Sequence, residues 1–365
     1  MIMAYARDNI RELGAYVPGE QPVTGSVIKL NTNENPYPPA EEVLAAIRST
    51  HGEALRRYPD PRAEPFRQVA AELHGLEPEQ VIATNGGDEL IRLALNVFCR
   101  PVGRDGGSGG VGIAEPSYSL YDVLAAIHDT PLCCVALTDE FELPDNFAER
   151  VLEAGCRLVI VVNPHAPSGR LEPLARLEAL AGRLRGQAVL LVDEAYVDFA
   201  ASDAIALLHA SPPCDNVLLL RSFSKGYALA GLRFGYGLGH RDLIVALDKA
   251  RDSYNTDAVS QQAAATALRH RDVAERSWHA VIAERDRMTK ALTAQSYAVF
   301  PSQSNFILVR PPRDTGKGAA KIFRKLKERG IYVRYFDQEG LADKLRITIG
   351  TPEQNEALLQ ALAGL

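Results

Sequence analysis

"LLLRSFSKGYALAGLRFGYGLG", residues 218–239, sets a single lysine, Lys225, among serines, with Arg233 eight positions further on. Apolar runs flank it on both sides, "NVLLLRS" before and "LRFGYGLG" after, and both read as strands. They lie close enough in sequence to pair antiparallel at one side of a sheet. An ammonium buried between strands without a partner loses too much hydration energy to stay charged. Lys225 therefore reaches solvent, holds a partner, or condenses with a carbonyl to a Schiff base.

Working outward, short apolar runs alternate with amphipathic helices from about Val81. "VIAT" precedes "DELIRLALNVFCR", "GVGIAEP" precedes "SYSLYDVLAAIH", "RLVIVVNP" precedes "PLARLEALAGRLR", and "AVLLVDEAYVDF" precedes "DAIALLHA". Strands that are apolar throughout and alternate with helices predict an α/β fold, a mainly parallel sheet with helices on both faces. "PAEEVLAAIRST" reads as a helix with Val43, Leu44 and Ile47 on one face, and a long helical stretch spans about Asp257 to Ala294. The segments "SNFILVR", "AAKIFRKLKERG", "IYVRYF" and "LRITIG", with a closing helix, predict a smaller α+β unit. The first forty residues, rich in Asn, Pro and Gly, read as an extended arm. The expected division is an arm over 1–38 that joins the small domain, a large domain over 39–252 and a small one over 253–365. In such sheets ligands bind beyond the carboxyl ends of the strands, so the loops there carry the function.

Length and composition agree with this division. A chain of 365 residues suggests about two domains. The net charge of −6, from 40 basic and 46 acidic residues without long runs of either sign, argues against nucleic acid or an anionic membrane as partner. Cys99, Cys133, Cys134, Cys156 and Cys214 are odd in number and show neither CxxC nor metal-ligand spacing, which predicts a reducing, cytoplasmic setting and no metal. "MIMAYARDNIRELG" lacks the apolar core of a signal peptide, and no run has the length of a membrane span.

The loops carry polar groups of several kinds. In "TNGGDEL", Gly86 and Gly87 would let backbone amides approach an anion at a helix N-terminus, although taken alone the stretch reads first as a plain turn with Asp88 complementing the helix dipole. Tyr118 in "EPSYSLY" follows a strand and is placed to stack on a flat ring or to fill a core. Asp193 and Glu194 end the strand of "LLVDEAYVDF", where a carboxylate caps the next turn or pairs with a protonated ring nitrogen. Tyr196 follows closely. Ser222, Ser224 and Arg233 are donors suited to a phosphate dianion. "GSGGVG", Gly107 to Gly112, matches G-x-G-x-x-G but follows polar residues, and Pro116 blocks a helix after it, so it reads as a loop and not as a dinucleotide site.

In this conjunction the chain resembles the fold-type-I, pyridoxal-phosphate-dependent aminotransferases, in order along nearly its whole length. Within that group "LNTNENPYPP", "RYPDP", "NGGDEL", "EPSYSLY", "VDEAYVDF", "RSFSKGYALAGLRFGYG" and "LRITIGT" are most similar to the histidinol-phosphate aminotransferase family. The resemblance implies pyridoxal 5'-phosphate held as a Schiff base by Lys225, with Asp193 on the pyridine nitrogen, Tyr196 on the phenolic oxygen and Tyr118 on the ring face. It places the Gly87 and Asp88 backbone, Ser222, Ser224 and Arg233 at the phosphate, with Tyr58 reaching it from the neighbouring subunit of a homodimer. Arg334 and Arg346 resemble the family's substrate-anion arginines, and Tyr16 and Asn33 its N-terminal substrate contacts.

The implied reaction is L-histidinol phosphate plus 2-oxoglutarate to imidazole acetol phosphate plus L-glutamate. Aromatic-amino-acid transamination and threonine-phosphate decarboxylation are the alternatives within the same family. Two arginines favour a phosphorylated donor, since an amino-acid carboxylate needs only one bidentate guanidinium; the alternative for Arg334 is a solvated strand charge. In this reading Lys225 first anchors the cofactor and then moves a proton between the substrate α-carbon and the cofactor, with cationic neighbours such as Arg233 lowering its pKa. One departure stands out. Where the family has an asparagine before Pro-Thr-Gly, "NPHAPSGR" has Ala166, so either Tyr196 alone holds the ring oxygen or Asn163 or His165 compensates.

Overall fold

The computed structural model describes residues 5–14, 19–22, 27–102, 109–312 and 318–365. Thirteen strands occur among them. In chain order they are β1 (Ile28–Lys29), β2 (Val81–Thr84), β3 (Gly110–Glu115), β4 (Leu132–Ala136), β5 (Cys156–Val162), β6 (Val189–Asp193), β7 (Val217–Ser222) and β8 (Gly235–Gly239). They continue with β9 (Ala298–Val299), β10 (Phe306–Arg310), β11 (Ile331–Tyr332), β12 (Arg334–Tyr335) and β13 (Leu345–Thr348).

Seven of these form the main sheet, in the order β2-β8-β7-β6-β5-β3-β4. The pairs from β4 through β3, β5 and β6 to β7 are parallel, and β8 runs antiparallel to both β7 and β2. The expected side-by-side pairing of the two strands around Lys225 is thus present. Leu158, Val159, Leu190, Leu191, Val192, Leu218 and Leu219 are essentially without solvent contact. Both faces are covered, which is why these strands are apolar at every position and not at alternate ones. Each such side chain contributes roughly 1.5–3 kcal/mol on burial.

Strand order reverses around β3 and β5, the switch point at which open α/β sheets form a crevice. The loops after β3, β5, β6 and β7 open there. A second sheet, β12-β13-β10-β9, follows the helix Arg271–Ala294, and β1 pairs in parallel with β11.

Three expectations change. The helix Ala258–Arg269, which lies beyond the expected boundary at 252, packs on the helices Glu41–Arg48 and Glu64–His74 of the segment before it. Ala263, Ala264 and Ala267, all buried, permit that close packing. The arm is not wholly extended. It contains a short helix, Asp8–Glu12, beside which Arg7 Nη2 and Asn9 Nδ2 donate to the Ile127 and Ala126 carbonyls at 2.7 and 2.8 Å. Of the glycine-rich "GSGGVG", Gly107 and Ser108 lie outside the described residues, and Gly110 opens the buried strand β3.

Candidate active site

The helix Gly86–Phe98 starts directly after β2, and its first amides have no intrahelical acceptors. Its opening turn is crowded. Gly86 has φ +73°, and a Cβ there would come within 2.7 Å of Arg233 Nη2. Gly235 on β8 is pressed against the same turn, where its Cβ would meet Gly86 C at 2.8 Å and Gly87 N at 2.9 Å. Arg233 Nη1 donates to Ser224 Oγ at 3.4 Å, and Nη2 faces Asp88 Oδ2 at 3.5 Å. Ser222 Oγ accepts from the Ser224 amide at 3.1 Å. A helix start, two hydroxyls and a guanidinium therefore converge in a cavity of about 300 Å³, which Gly87, Asp88, Ser222, Ser224 and Arg233 all line. Such a set suits a phosphate.

Asp193 reaches the same cavity from the end of β6 and is 5% exposed. Its Oδ2 accepts from the Tyr121 hydroxyl at 2.6 Å and its Oδ1 from the Ala195 amide at 3.0 Å. Burial raises its pKa, while Tyr121 and the Ala195 amide pull it back down. Glu194, one residue on, does not line the cavity and pairs with Arg221 of β7 at 2.7 Å. Asp203 is Arg221's second carboxylate, at 3.0 Å. Tyr118 lines the cavity and meets Tyr121 edge-on, 5.6 Å between centroids.

Lys225 Nζ lies in the cavity and donates to the Thr32 carbonyl at 3.1 Å. Its pKa is pushed down to about 8, first by burial and then by Arg346, with Arg233 a smaller cause; Glu34 and Asp88 oppose. Burial, not Arg233, is thus the principal reason. Asn35 Nδ2 donates to the Lys225 and Gly226 carbonyls at 3.2 and 3.1 Å, which fixes the backbone under the amine.

Arg334 and Arg346 line the cavity from the smaller sheet, directly opposite each other in the β12–β13 register. Both guanidiniums lie over the Phe336 ring, at 5.2 and 5.5 Å. Arg346 is also over Phe306 at 5.2 Å and donates to the Asn31 carbonyl at 3.0 Å.

The other expected site residues are distributed differently. Asn33 and Tyr196 line the cavity and touch, Asn33 Nδ2 donating to the Tyr196 oxygen at 3.0 Å. Ala166 is in the wall. Asn163 is not, which corrects its assignment to the cofactor. Its Oδ1 accepts from the Glu172 amide at 2.7 Å, and its Nδ2 donates to the Glu172 carbonyl at 3.4 Å, so its side chain closes its own loop. His165 does not compensate either. Its ring nitrogens bond Ser168 Oγ at 2.7 Å and the Pro116 carbonyl at 2.8 Å, and burial pushes its pKa down to about 4. Tyr58 is 80% exposed and stacks on Tyr254 away from this cavity. Tyr16 lies outside the described residues. Sequence reasoning missed Tyr121, Asn35 and Phe336. For Tyr121 a signal existed, since it stands three residues after Tyr118 on an otherwise apolar helix face.

Comparison with known proteins agrees with this geometry. The model for "Aminotransferase class I and II" matches residues 25–362. The chain belongs to that family. Histidinol-phosphate aminotransferase 1 of Nostoc sp. is 41% identical over 362 residues, 99% of this chain and 98% of the relative. Histidinol-phosphate aminotransferase of Chromohalobacter salexigens is 41% identical over 356 residues, 97% of this chain and 96% of the relative. The crystal structure of histidinol-phosphate aminotransferase from Sinorhizobium meliloti, in complex with pyridoxal-5'-phosphate, superposes with a TM-score of 0.85 at 25% identity, covering 99% of this chain and 97% of that one. The fold is that of the fold-type-I enzymes, and the cofactor of this aminotransferase is pyridoxal phosphate. The cavity fits it, since one space carries an anion cradle, an amine of lowered pKa and a buried carboxylate. No helix among the described residues is long and apolar enough to cross a membrane.

Proposed function

We infer that the chain transfers the amino group of L-histidinol phosphate to 2-oxoglutarate, a transamination of histidine biosynthesis. The observation that carries the choice of donor is the pair Arg334 and Arg346. Like charges directly opposite on neighbouring strands are destabilising. Here both are held on Phe336 at the cavity, an arrangement that a dianionic substrate phosphate offsets. The same pair takes the side-chain carboxylate of 2-oxoglutarate or glutamate.

In this reading Gly87, Asp88, Ser222, Ser224 and Arg233 hold the cofactor phosphate. Asp193, fixed by Tyr121, keeps the ring nitrogen protonated, Tyr118 covers the ring face and Tyr196 donates to the phenolic oxygen. Bound pyridoxal phosphate supplies an electron-accepting ring for the charge left when the α-proton departs. Lys225 anchors the cofactor and, once released by substrate, takes that proton; a lysine of pKa about 8 is neutral often enough to act as base near neutral pH. Asn33 and Tyr16 contact substrate from the arm. Exposed Tyr58 reaches the phosphate of a second subunit, so the working unit is a homodimer. The free thiols fit a reducing compartment, which supports a cytoplasmic enzyme.

The test is a substrate panel with 2-oxoglutarate as acceptor. Histidinol phosphate is expected to give the highest kcat/KM, and Arg334→Gln to raise its KM at least tenfold. A preference for phenylalanine, or release of CO2 from threonine phosphate, would overturn the assignment.

A further inference from the structure

The contact between Asn33 and Tyr196 belongs to a chain of hydrogen bonds that begins at a backbone donor. The Asn33 backbone N–H, which only donates, gives its hydrogen to Thr348 Oγ1 at 3.0 Å. The Thr348 hydroxyl in turn donates to Asn33 Oδ1 at 3.0 Å. That sets the side-chain amide with its oxygen toward Thr348 and its nitrogen toward Tyr196, where Nδ2 donates at 3.0 Å. The phenol oxygen is the acceptor in this contact, so its own hydrogen points away from Asn33. Asn305 Nδ2 holds the Asn33 carbonyl at 2.9 Å, and Asn33 is 1% exposed. Its backbone lies at φ +57°, which asparagine tolerates better than most residues. The adjoining wall at Ala166 offers only a methyl group, and Asn163 and His165 are engaged elsewhere.

We propose that Asn33 and Thr348 are positioning residues that turn the Tyr196 phenolic hydrogen into the cavity, toward the ring oxygen of bound pyridoxal phosphate. The proposal rests on the reading that Tyr196 serves that oxygen. It makes the donor depend on docking three segments: the arm through Asn33, the end of β6 through Tyr196, and β13 through Thr348.

The experiment is a pH titration of the visible absorbance of the holoenzyme, which reports how readily the imine–oxygen pair of the bound cofactor takes up a proton. A donor on the ring oxygen lowers that affinity. Tyr196→Phe should raise the midpoint by about 1–2 units. Thr348→Val and Asn33→Gly (glycine accepts the positive φ) should each raise it by about 0.5–1 unit, while Thr348→Ser, which keeps the hydroxyl, should leave it in place. In the Tyr196→Phe background, Thr348→Val should add nothing. A merely structural role for Thr348 would not give this non-additivity. An unchanged midpoint in Thr348→Val and Asn33→Gly overturns the proposal, as does a shift that persists without the phenol. An unchanged midpoint in Tyr196→Phe alone instead removes the reading of Tyr196 on which the proposal stands.

Discussion

Arg346 has a second role that can be measured apart from substrate binding. It is the largest charge contribution to the lowered pKa of Lys225, after burial. With a pKa of about 8, roughly one Lys225 in ten is neutral at pH 7, against roughly one in three thousand at the ordinary value of 10.5. Only the neutral amine attacks an aldehyde. A cation several ångströms away at an effective dielectric near 20 contributes on the order of 1–2 kcal/mol, or about one unit. Arg346→Gln should therefore shift the Lys225 titration upward by about one unit. The assay is the rate of covalent pyridoxal phosphate capture by apo-protein, followed by absorbance in a stopped-flow instrument across pH 6–10. Wild-type protein should gain tenfold in rate per pH unit below about pH 8 and level off above. The variant should reach the same plateau about one unit later, and so be roughly tenfold slower at pH 7. Superimposable profiles would refute the electrostatic role. A wild-type rate that climbs without a break to pH 10 would refute the lowered pKa itself.

The same lowering is a stability cost in apo-protein. A lysine whose folded pKa lies below its unfolded one destabilises the fold at low pH, and the cost fades as pH rises from about 8 to 10.5. The gap of 10.5 − 8, about 2.5 units, bounds it at roughly 3 kcal/mol, so Lys225→Met apo-protein should have a higher Tm at pH 7, with the advantage closing toward pH 10.5; equal Tm at pH 7 would count against it. Gly235→Ala should push the opening turn of the helix Gly86–Phe98 off β8, and pyridoxal phosphate affinity measured by equilibrium dialysis should fall at least tenfold, wild-type affinity being the contrary result. Glu194→Ala leaves the Arg221 cation buried with only Asp203, and urea titration should show a loss of about 3–5 kcal/mol; a loss under about 1 kcal/mol would mean the pair is not what holds Arg221. Phe336→Leu should raise KM several-fold for histidinol phosphate and little for unphosphorylated histidinol, while an equal rise for both would show that Phe336 does not space the arginines.

Much of this was legible because burial on both sides of a parallel sheet leaves continuous apolar runs, and the polar residues ending those runs fall at the crevice. Asp193 after "VLLV" and Lys225 after "LLLRSFS" follow from that pattern alone. What escaped were pairings across long chain separations. Tyr121 in a helix looks like a core residue until Asp193, 72 positions away, is found beneath its hydroxyl. Asn33 read only as a substrate contact, because nothing local says that Thr348, 315 positions on, also orders its amide. Asn163 failed for the opposite reason, since a loop-closing bond to Glu172 satisfies its side chain before any ligand does. The arm looked extended because it is rich in Asn, Pro and Gly, while the short helix at Asp8 depends on carbonyls of another helix.

Alternation along the central strands explains how one sheet carries both a reactive centre and the charges that brace it. Asp193 and Glu194 are neighbours in sequence, as are Arg221 and Ser222, and in each pair one member lines the cavity while the other does not. The two left over, Glu194 and Arg221, meet each other at 2.7 Å. Strands that expose no face to water leave a charged residue only two stable positions, a ligand site at the strand end or an ion pair behind it. The buried pair has a direct consequence for the site. It ties β6 to β7 one residue from Asp193 on one strand and one residue from Ser222 on the other. The spacing between the carboxylate and the phosphate cradle is thereby set by a bond that never touches a ligand. Loosening that pair should disturb cofactor binding at both groups together, whereas loosening Tyr121 should disturb Asp193 alone.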